Sequence, residues 1–375
     1  MSRLSFALLL TVTLPLAPLC TGCTEEVTIA APLDAASADL GDGARPDGDA
    51  RARDGDGGAD EDGGEGSPCQ THSQCGDGLC ASNGRCVEAD DVAHVSPCSG
   101  SGDGSRQNPH CSPSEAEGGR RPFMLLAPGT YDRVDIERSV RIYGSPGTII
   151  ERGSVCSAIK VKGAPNISVE IVGLEARGQV LVEEGSTLTL RQLVIGPSPC
   201  VGVMAKKNVH LVIDRCFVSS HTLGGAELED VADYVITNSY FVKSGHQDMH
   251  GTVYLEALGT PAVFANNTVA DNDAGVTCSG GGALLLNTIV WGNQGTAVSS
   301  NCTASHSDIE GGVVSGPSNI SVDPAFVGSG TQAAAYRLGP GSPCIDAGAQ
   351  SGDTPALDYD GEQRTAPDIG ADERL

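Results

Sequence analysis

The chain has 375 residues, among them 50 Gly and 21 Pro, and only 4% of it is aromatic. Lys and Arg number 23 against 48 Asp and Glu, which gives a formal net charge of −25. Because phosphate binding needs a basic surface, this balance argues against nucleic acid as a partner and against a polybasic attraction to anionic lipid. High glycine content with short apolar runs argues against a long helical bundle.

The first 22 residues predict an export signal. Arg3 precedes an apolar stretch from Leu4 to about Leu19, the charged start and apolar middle of a signal peptide. The stretch Leu19-Cys20-Thr21-Gly22-Cys23 resembles a bacterial lipobox. The resemblance implies cleavage before Cys23 and acylation of its thiol, so that a lipid holds the protein to a membrane of the cell envelope, at the outer membrane or cell surface. Plain secretion, with Cys23 as an ordinary thiol, is the alternative.

Residues 23–67 follow as an acidic segment rich in Gly, Asp and Ala. Between residues 34 and 67 there are eleven acidic residues against three Arg, and no large apolar residue occurs between Leu40 and Leu79. Such a stretch cannot bury enough apolar surface to offset the entropy of ordering it. The sequence therefore predicts a disordered, self-repelling tether between the anchor and the folded part.

The chain contains 14 Cys, and twelve remain when Cys20 and Cys23 are set aside. An even number in an exported chain indicates disulfides. Four fall in residues 68–95, where little apolar surface is available and cross-links are needed, and this segment resembles small EGF-like cysteine modules. Its pairing stays open among three possibilities, and zinc is disfavoured because the CxxC spacing is absent. The disulfide candidates here are Cys69, Cys75, Cys80 and Cys86, followed by Cys98 and Cys111 around a polar loop.

Short β-prone segments recur in the body of the chain. Five of them start at Arg191, Arg215, Asn238, Asn267 and Asn287, with no helical pattern between them. Because coils at this spacing bury side chains against the coils above and below, residues 96–305 are predicted to be a parallel β-helix, and the fold class is all-β. A β-sandwich is the alternative, since it also uses many short strands. Asn238, Asn267 and Asn287 are expected to stack as an amide ladder.

Two further cysteines are candidates for a bridge between coils. Cys278 and Cys302 fall at similar points of consecutive coils, after Gly275-Val276 and Ala297-Val298. A disulfide between stacked turns is geometrically possible at such a place. No partner is predicted for the remaining cysteines, which are Cys156, Cys200, Cys216 and Cys344.

Motifs at both ends of the repeat resemble those of known families. Phe123–Tyr131, with the sequence FMLLAPGTY, looks like the beginning of pectate-lyase-like right-handed β-helices. Residues 306–375 resemble the choice-of-anchor Q domain of bacterial surface proteins. The resemblance implies a right-handed solenoid followed by a segment typical of surface-anchored proteins. The matching pieces of that segment are Ser307–Gly312, Asp323–Phe326, Tyr336–Leu338, Ser342–Gly348, Asp358–Arg364 and Asp368–Glu373.

One loop offers groups for chemistry. His246, Asp248 and His250 lie within five residues, in the longest step of the repeat. Two imidazoles and a carboxyl group at this spacing suit metal binding or acid–base work. An exposed polar loop without a function explains the same residues.

Two acidic groups are candidates for calcium, which takes several oxygen ligands. Solvated loops are the alternative for the first group. For the second, we expect instead that Arg364 pairs with a nearby carboxylate such as Asp346 or Asp368 and thereby pins the last segment. The first group is Glu227, Glu229, Asp230 and Asp233, and the second is Asp358, Asp360 and Glu362.

The motifs of β-helix enzymes are missing. Pectate lyases share a WxDH-type and an RxPxxR stretch, and polygalacturonases share a GHG, where this chain has Gly245-His246-Gln247. The favoured hypothesis is a non-catalytic adhesion, display or structural role at the cell surface, in contact with a polysaccharide or another surface protein. It needs no cofactor, calcium alone being left open. The alternative is a polysaccharide lyase or glycoside hydrolase that uses His246, Asp248 and His250.

Overall fold

The computed structural model describes residues 66–163, 165–246, 250–280, 283–312 and 316–374. The predicted signal peptide, the lipid-attachment residue Cys23, the tether up to residue 65 and the loop residue Asp248 lie outside the described residues. Within the described part of the chain, no helix has the length and apolar character needed to cross a membrane.

The chain winds through three parallel β-sheets in a repeating order. His210–Asp214 lies in the first sheet, Phe217–Ser219 in the second and Ala226–Glu229 in the third, and the chain then returns to the first sheet as Asp233–Thr237. The returning strand pairs in parallel with His210–Asp214 of the coil before it. This register confirms the predicted all-β parallel β-helix and shows that the β-sandwich alternative is wrong.

Across the described ranges, the three sheets contain ten, nine and seven strands. The ten-stranded sheet consists of Val92–Val95, Phe123–Leu126, Val140–Gly144, Ser168–Val172, Thr187–Arg191, His210–Asp214, Asp233–Thr237, Ala262–Ala265, Leu284–Leu286 and Thr303–Ser305. The nine-stranded sheet consists of Gly129–Asp132, Thr148–Glu151, Glu175–Arg177, Val194–Ile195, Phe217–Ser219, Tyr240–Val242, Thr268–Ala270, Ile289–Trp291 and Asp308–Ile309. The seven-stranded sheet consists of Val134–Ile136, Ser157–Val161, Gln179–Glu183, Val203–Lys206, Ala226–Glu229, Val253–Leu255 and Val276–Cys278.

Helices contribute little to the described chain. One short α-helix spans Pro113–Glu117, and Ser112 caps it by accepting the N–H of Glu115 at 3.1 Å. The cysteine-rich segment also contains an antiparallel pair of strands. The two strands are Leu79–Cys80 and Cys86–Val87. The described residues also contain 3-10 helices, which span His72–Cys75, Ala89–Asp91 and Ala333–Tyr336.

Inward side chains stack in columns from coil to coil. Because successive residues of a strand point to opposite faces, every second side chain enters the core. Ile213, Ile236 and Phe264 take the same inward position in successive strands of the ten-stranded sheet, and none of them is exposed. Each coil is therefore stabilised by contacts with the coil before it and the coil after it.

Residues in the left-handed conformation make the corner between the ten-stranded and nine-stranded sheets. Arg215, Asn238, Asn266 and Asn287 have φ angles of 53°, 50°, 52° and 49° and follow one another in register. The predicted ladder of Asn238, Asn267 and Asn287 is therefore wrong in one member, because Asn266 takes the place given to Asn267. Asn suits the corner because its short polar side chain tolerates this conformation.

Buried amides bond neighbouring coils just inside this corner. The amide oxygen of Asn267 accepts the N–H of Ser239 in the preceding coil at 3.0 Å. Asn319 repeats the arrangement after the last strands, since its Oδ1 accepts the N–H of Ser307 at 3.1 Å and its Nδ2 donates to the carbonyl of Ala304 at 2.9 Å. Asn319 is thus the last of these ladder side chains in the described residues, next to the isolated parallel bridge between Asp308 and Ile320.

Five disulfides cross-link the described residues, and the pairing left open by the sequence is resolved. The ten-stranded sheet begins at Val92, inside the range predicted as the cysteine module. Cys216 and Cys344 are buried and unpaired, and burial raises the pKa of Cys216 to about 12. The bridges are Cys69–Cys80, Cys75–Cys86, Cys98–Cys111, Cys156–Cys200 and Cys278–Cys302.

The C-terminal segment, residues 316–374, packs on the outward face of the nine-stranded sheet. The ring of Tyr240 in that sheet lies 4.9 Å from the ring of Tyr359 and 6.4 Å from that of Tyr336, between centroids. Tyr240 is only 1% exposed as a result. The segment therefore covers an aromatic face that the solenoid alone would expose to water.

Arg364 fastens this segment, but not through the predicted carboxylates. It pairs with Glu373 and donates to Oδ1 of Asn238 at 3.1 Å, with no part of its side chain exposed. The expected pairing of Arg364 with a nearby carboxylate is confirmed, but the partner is Glu373 rather than Asp346 or Asp368. Asp368 instead accepts the backbone N–H of Asp346 at 2.7 Å, a bond that braces a turn of the segment.

Candidate functional site

A group of ionisable side chains gathers on the outward face of the seven-stranded sheet. We call Lys206, Glu227, Glu229 and His250 the sheet-face cluster. In the strand Ala226–Glu229, the first and third residues are buried in the core. Because side chains alternate between the two faces of a strand, Glu227 and Glu229 point outward. Lys206 comes from the preceding coil, where it pairs in register with Glu229. His250 enters from the loop before the strand of the next coil.

The distances within the sheet-face cluster are short. The ammonium of Lys206 lies 2.9 Å from Oε2 of Glu229 and 3.6 Å from Oε1 of Glu227. Nδ1 of His250 lies 3.9 Å from Oε1 of Glu227. One ligand atom each of Glu227, Glu229 and His250 lie within 4.8 Å of one another. Two acids and two bases from three coils therefore meet at one place.

The ring of His250 is held by stacking. It lies on the ring of Tyr254, with 4.0 Å between centroids and 19° between planes. Nδ1 of His250 is buried and makes no hydrogen bond to another described atom. The hydroxyl of Tyr254 donates to Oε2 of Glu256 at 3.4 Å, and Ser279 donates to Oε1 of the same residue at 3.1 Å. A flat pair of rings thus borders the charged groups.

The pKa values of the two carboxyl groups in the cluster are shifted in opposite directions. Glu227 is 5% exposed, and burial together with a hydrogen bond to Glu229 raises the pKa of Glu227 to about 7. The same hydrogen bond, with a second one from Lys206, lowers the pKa of Glu229. The pKa of Glu227 thus lies close to neutral pH, whereas Glu229 stays ionised beside the ammonium of Lys206.

The structure regroups the residues predicted from the sequence. His246 is exposed, Asp248 lies outside the described residues, and His250 joins Glu227 and Glu229 instead. The predicted calcium group is divided, because Asp233 pairs with His210 on the ten-stranded sheet at 2.7 Å. Asp230, its other member, lies in the turn after the strand.

Sequence reasoning overlooked Lys206 and Tyr254. The alternation Ala-Glu-Leu-Glu at residues 226–229 does signal an outward pair of carboxylates. Their partners follow only from the strand register, which the irregular spacing of the coils conceals.

Two acidic residues of the second predicted calcium group are engaged within the C-terminal segment. Asp358 accepts the backbone N–H of Glu362 at 2.6 Å through one oxygen and that of Glu373 at 2.8 Å through the other. Asp360 pairs with Arg337. These bonds brace the segment, and calcium at Asp358, Asp360 and Glu362 stays a prediction.

A shallow depression of about 360 Å³ lies at the corner between the nine-stranded and seven-stranded sheets. Lys243 and Asp271 form an ion pair in it at 2.7 Å. The wall is otherwise polar and wide open, so it offers little enclosure for a small molecule. Its other lining residues are Ser220, His221, Thr222, Ser244, Gly245 and Asp273.

The similarity of this chain to known proteins is low. No model of a known protein family matches the chain, and no curated protein matches it by sequence. The chain is similar to a solved structure titled "Crystal structure of pectate lyase Pel9A", with 16% sequence identity and a TM-score of 0.41. The match covers 76% of this chain and 96% of that one. The parallel β-helix itself is established by the strand register described above.

Proposed function

We propose that this protein is an exported, lipid-anchored protein of the cell surface that contacts a polysaccharide without cleaving it. Five disulfides in the described residues are typical of an exported protein. The resemblance of residues 19–23 to a lipobox supports acylation of Cys23, and the likeness of residues 306–375 to choice-of-anchor Q domains supports a surface location.

The observation that carries the proposal is the outward face of the seven-stranded sheet. The bonds of the C-terminal segment described above run to the nine-stranded sheet and its corner. On the seven-stranded sheet, the stacked rings of His250 and Tyr254 stand beside Lys206 and Glu229, all of them partly exposed. Aromatic rings next to a few convergent polar groups are the usual composition of a small-molecule or sugar site. A flat face of this kind suits an extended polymer.

A second candidate function rests on the same place. Glu227 and Glu229 are the residue type that glycosidases use in pairs, and Lys206 and His250 are common acid–base groups. Their meeting within a few ångströms favours a polysaccharide lyase or glycoside hydrolase over an inert surface. The candidate differs from the first in one measurable respect, because it forms product.

The test uses the mature full-length chain with a panel of acidic and neutral polysaccharides. We expect retention on at least one polymer, with neither unsaturated product nor new reducing ends. Tyr254→Ala removes the ring under His250, and we expect binding about five-fold weaker, which corresponds to about 1 kcal/mol for a stacking contact.

Phe123→Ala is the matched control, since Phe123 is a half-buried aromatic on the ten-stranded sheet. It should bind as the parent protein does. Product from the parent protein would establish the second candidate instead, and equal weakening by both substitutions, or no retention on any polymer, would contradict the proposed contact face.

A further inference from the structure

Beyond the proposed surface contact, we propose that Glu227, Glu229 and His250 form a binding site for one divalent transition-metal ion of the zinc type. The three side chains offer two carboxylate oxygens and one imidazole nitrogen within 4.8 Å of one another. Neither the surface contact nor the missing enzyme motifs requires such a site.

The fold brings the three ligands together from two neighbouring coils. Residues two apart in a strand project from the same face, which sets the two carboxylates side by side. Zn²⁺ binds carboxylate oxygen and imidazole nitrogen at about 2.0–2.2 Å, so two ligand atoms of one tetrahedral ion lie about 3.4 Å apart. The ligand atoms of the three side chains lie within 4.8 Å of one another, so binding of the ion requires the side chains to rotate closer together.

The imidazole of His250 supplies the observation that points to a ligand. Its Nδ1 is buried, makes no hydrogen bond to a described atom and lies 3.9 Å from Oε1 of Glu227, too far for a hydrogen bond. A buried polar atom without a hydrogen bond is costly. Stacking on Tyr254 fixes the ring in this position, so that Nδ1 stays directed at the carboxylates. A metal ion between them would satisfy both.

The donor set selects the class of ion. Imidazole nitrogen suits zinc and its neighbours in the first transition row, whereas calcium takes six to eight oxygen ligands. Three protein ligands would leave a fourth tetrahedral position for water. The site therefore differs from the calcium group that the sequence predicts around Asp230 and Asp233.

Lys206 is the competitor of the ion. Its ammonium lies 2.9 Å from Glu229 and 3.6 Å from Glu227, and supplies the positive charge that the carboxylates need in the absence of metal. Metal binding must displace this ammonium and overcome its repulsion. Removal of the Lys206 charge should thus strengthen metal binding, an effect that a purely structural salt bridge would not produce.

The experiment is calorimetric titration of the full-length chain with zinc chloride at pH 7.5, with calcium chloride in a parallel series. We expect one zinc site per chain and no matching calcium site. His250→Gln should weaken zinc binding at least ten-fold, and Lys206→Met should strengthen it about ten-fold. His210→Gln is the matched control, because His210 pairs with a single carboxylate on another sheet and should leave the titration unchanged.

Cobalt gives a second readout on the same variants. Co²⁺ bound in the Lys206→Met chain should show visible absorption that zinc abolishes. No zinc binding by the parent chain, equal binding by the parent and His250→Gln chains, or calcium bound as tightly as zinc would overturn the inference. Because polysaccharide retention in the presence of a chelator is measured separately, a failure here is distinguishable from a failure of the proposed function.

Discussion

His221 is a buried titratable residue that joins neighbouring coils. Its Nε2 lies 3.1 Å from the carbonyl oxygen of Ile195, and its backbone N–H donates to Oγ of Ser244 at 3.2 Å. Two coils later, Asn272 fills the corresponding place and donates to the carbonyl of Phe241 at 2.9 Å. Burial lowers the pKa of His221 to about 4, so the imidazole is neutral at pH 7. His221 therefore has the structural role that Asn272 has two coils later, which is to hydrogen-bond the coil to its neighbour.

A pH dependence of stability follows at this residue. The unfolded chain binds the His221 proton near pH 6.5 and the folded chain only near pH 4, so the free energy of unfolding falls as pH drops through that window. The loss amounts to at most about 3 kcal/mol. His221→Asn, which copies Asn272, should remove this part of the pH dependence in urea unfolding at pH 7.5 and 4.5. His210→Asn, at an exposed site, serves as the control. If the free energy of unfolding of the His221 variant falls between pH 7.5 and 4.5 as much as that of the parent protein, His221 is not the titrating group.

Charged side chains link the coils along the outward face of the ten-stranded sheet. Arg141 lies 3.8 Å from Glu170, Glu170 lies 3.5 Å from Arg191, and Arg191 lies 3.3 Å from Asp214. Opposite charges thus alternate from strand to strand. Glu170 also accepts a hydrogen bond from the hydroxyl of Tyr143 at 3.2 Å, so it is the centre of the row.

Glu170→Gln should therefore lower the free energy of unfolding by about 1 kcal/mol at low salt. High salt screens surface charges, and because Glu170 is partly buried, part of the difference rather than all of it should vanish at 0.5 M NaCl. Urea unfolding at both salt concentrations measures it. Glu137→Gln is the control, because Glu137 is an exposed carboxylate at the side of the solenoid that pairs only with Lys162 among the contacts described. A loss that is the same at both salt concentrations would show that Glu170 acts by packing rather than by charge.

The β-helix follows from sequence because each coil repeats the same physical requirement. Inward apolar residues alternate with outward polar ones, and a residue that tolerates a left-handed conformation makes the corner. Where two asparagines are adjacent, the sequence does not show which of them makes the corner. Asn266 and Asn267 are both plausible at the corner, and only strand pairing shows that Asn266 occupies it while Asn267 turns inward.

The sheet-face cluster is harder to predict from sequence than the corner residues, because its members meet only through the strand register. A loop lengthens the coil that contains His250, so that counting residues does not reveal which side chains of the previous coil it meets. Sequence proximity therefore groups Glu227 and Glu229 with Asp230 and Asp233. In the structure Asp230 lies in the turn after the strand, and Asp233 begins the next strand of the ten-stranded sheet. Lys206, one coil back, carries no local signal of its own.

The C-terminal segment closes one face of the molecule over an aromatic patch. Its attachment combines the rings around Tyr240 with the buried Arg364, which donates to Asn238 of the solenoid and to the carbonyl oxygens of Gly370 and Ala371 at 3.2 and 2.9 Å. Arg364 pairs in addition with Glu373, which is 7% exposed. A charge buried in this way must keep its partner, since an unpaired buried carboxylate is strongly destabilising.

Arg364→Met should accordingly release the segment. We expect a loss of about 3 kcal/mol in the free energy of unfolding, within the range for breaking a buried ion pair. Limited proteolysis should cleave between residues 316 and 374 while the coils remain resistant. Arg374→Met replaces an exposed arginine of the same segment and should leave the digestion pattern unchanged. Equal resistance of the two variants would mean that the aromatic contacts suffice.

The hydrogen bonds of Asn319 end the series of ladder side chains in the described residues, and they bear on what sets the number of coils. Its amide meets Ser307 and Ala304 as an amide of a further coil would. Because each coil makes its hydrogen bonds and apolar contacts with the coils next to it, the interior does not set the number of coils. Length is then a property that duplication or loss of whole coils can alter in a lineage, whereas the closing residue needs to arise only once and can be kept at any length.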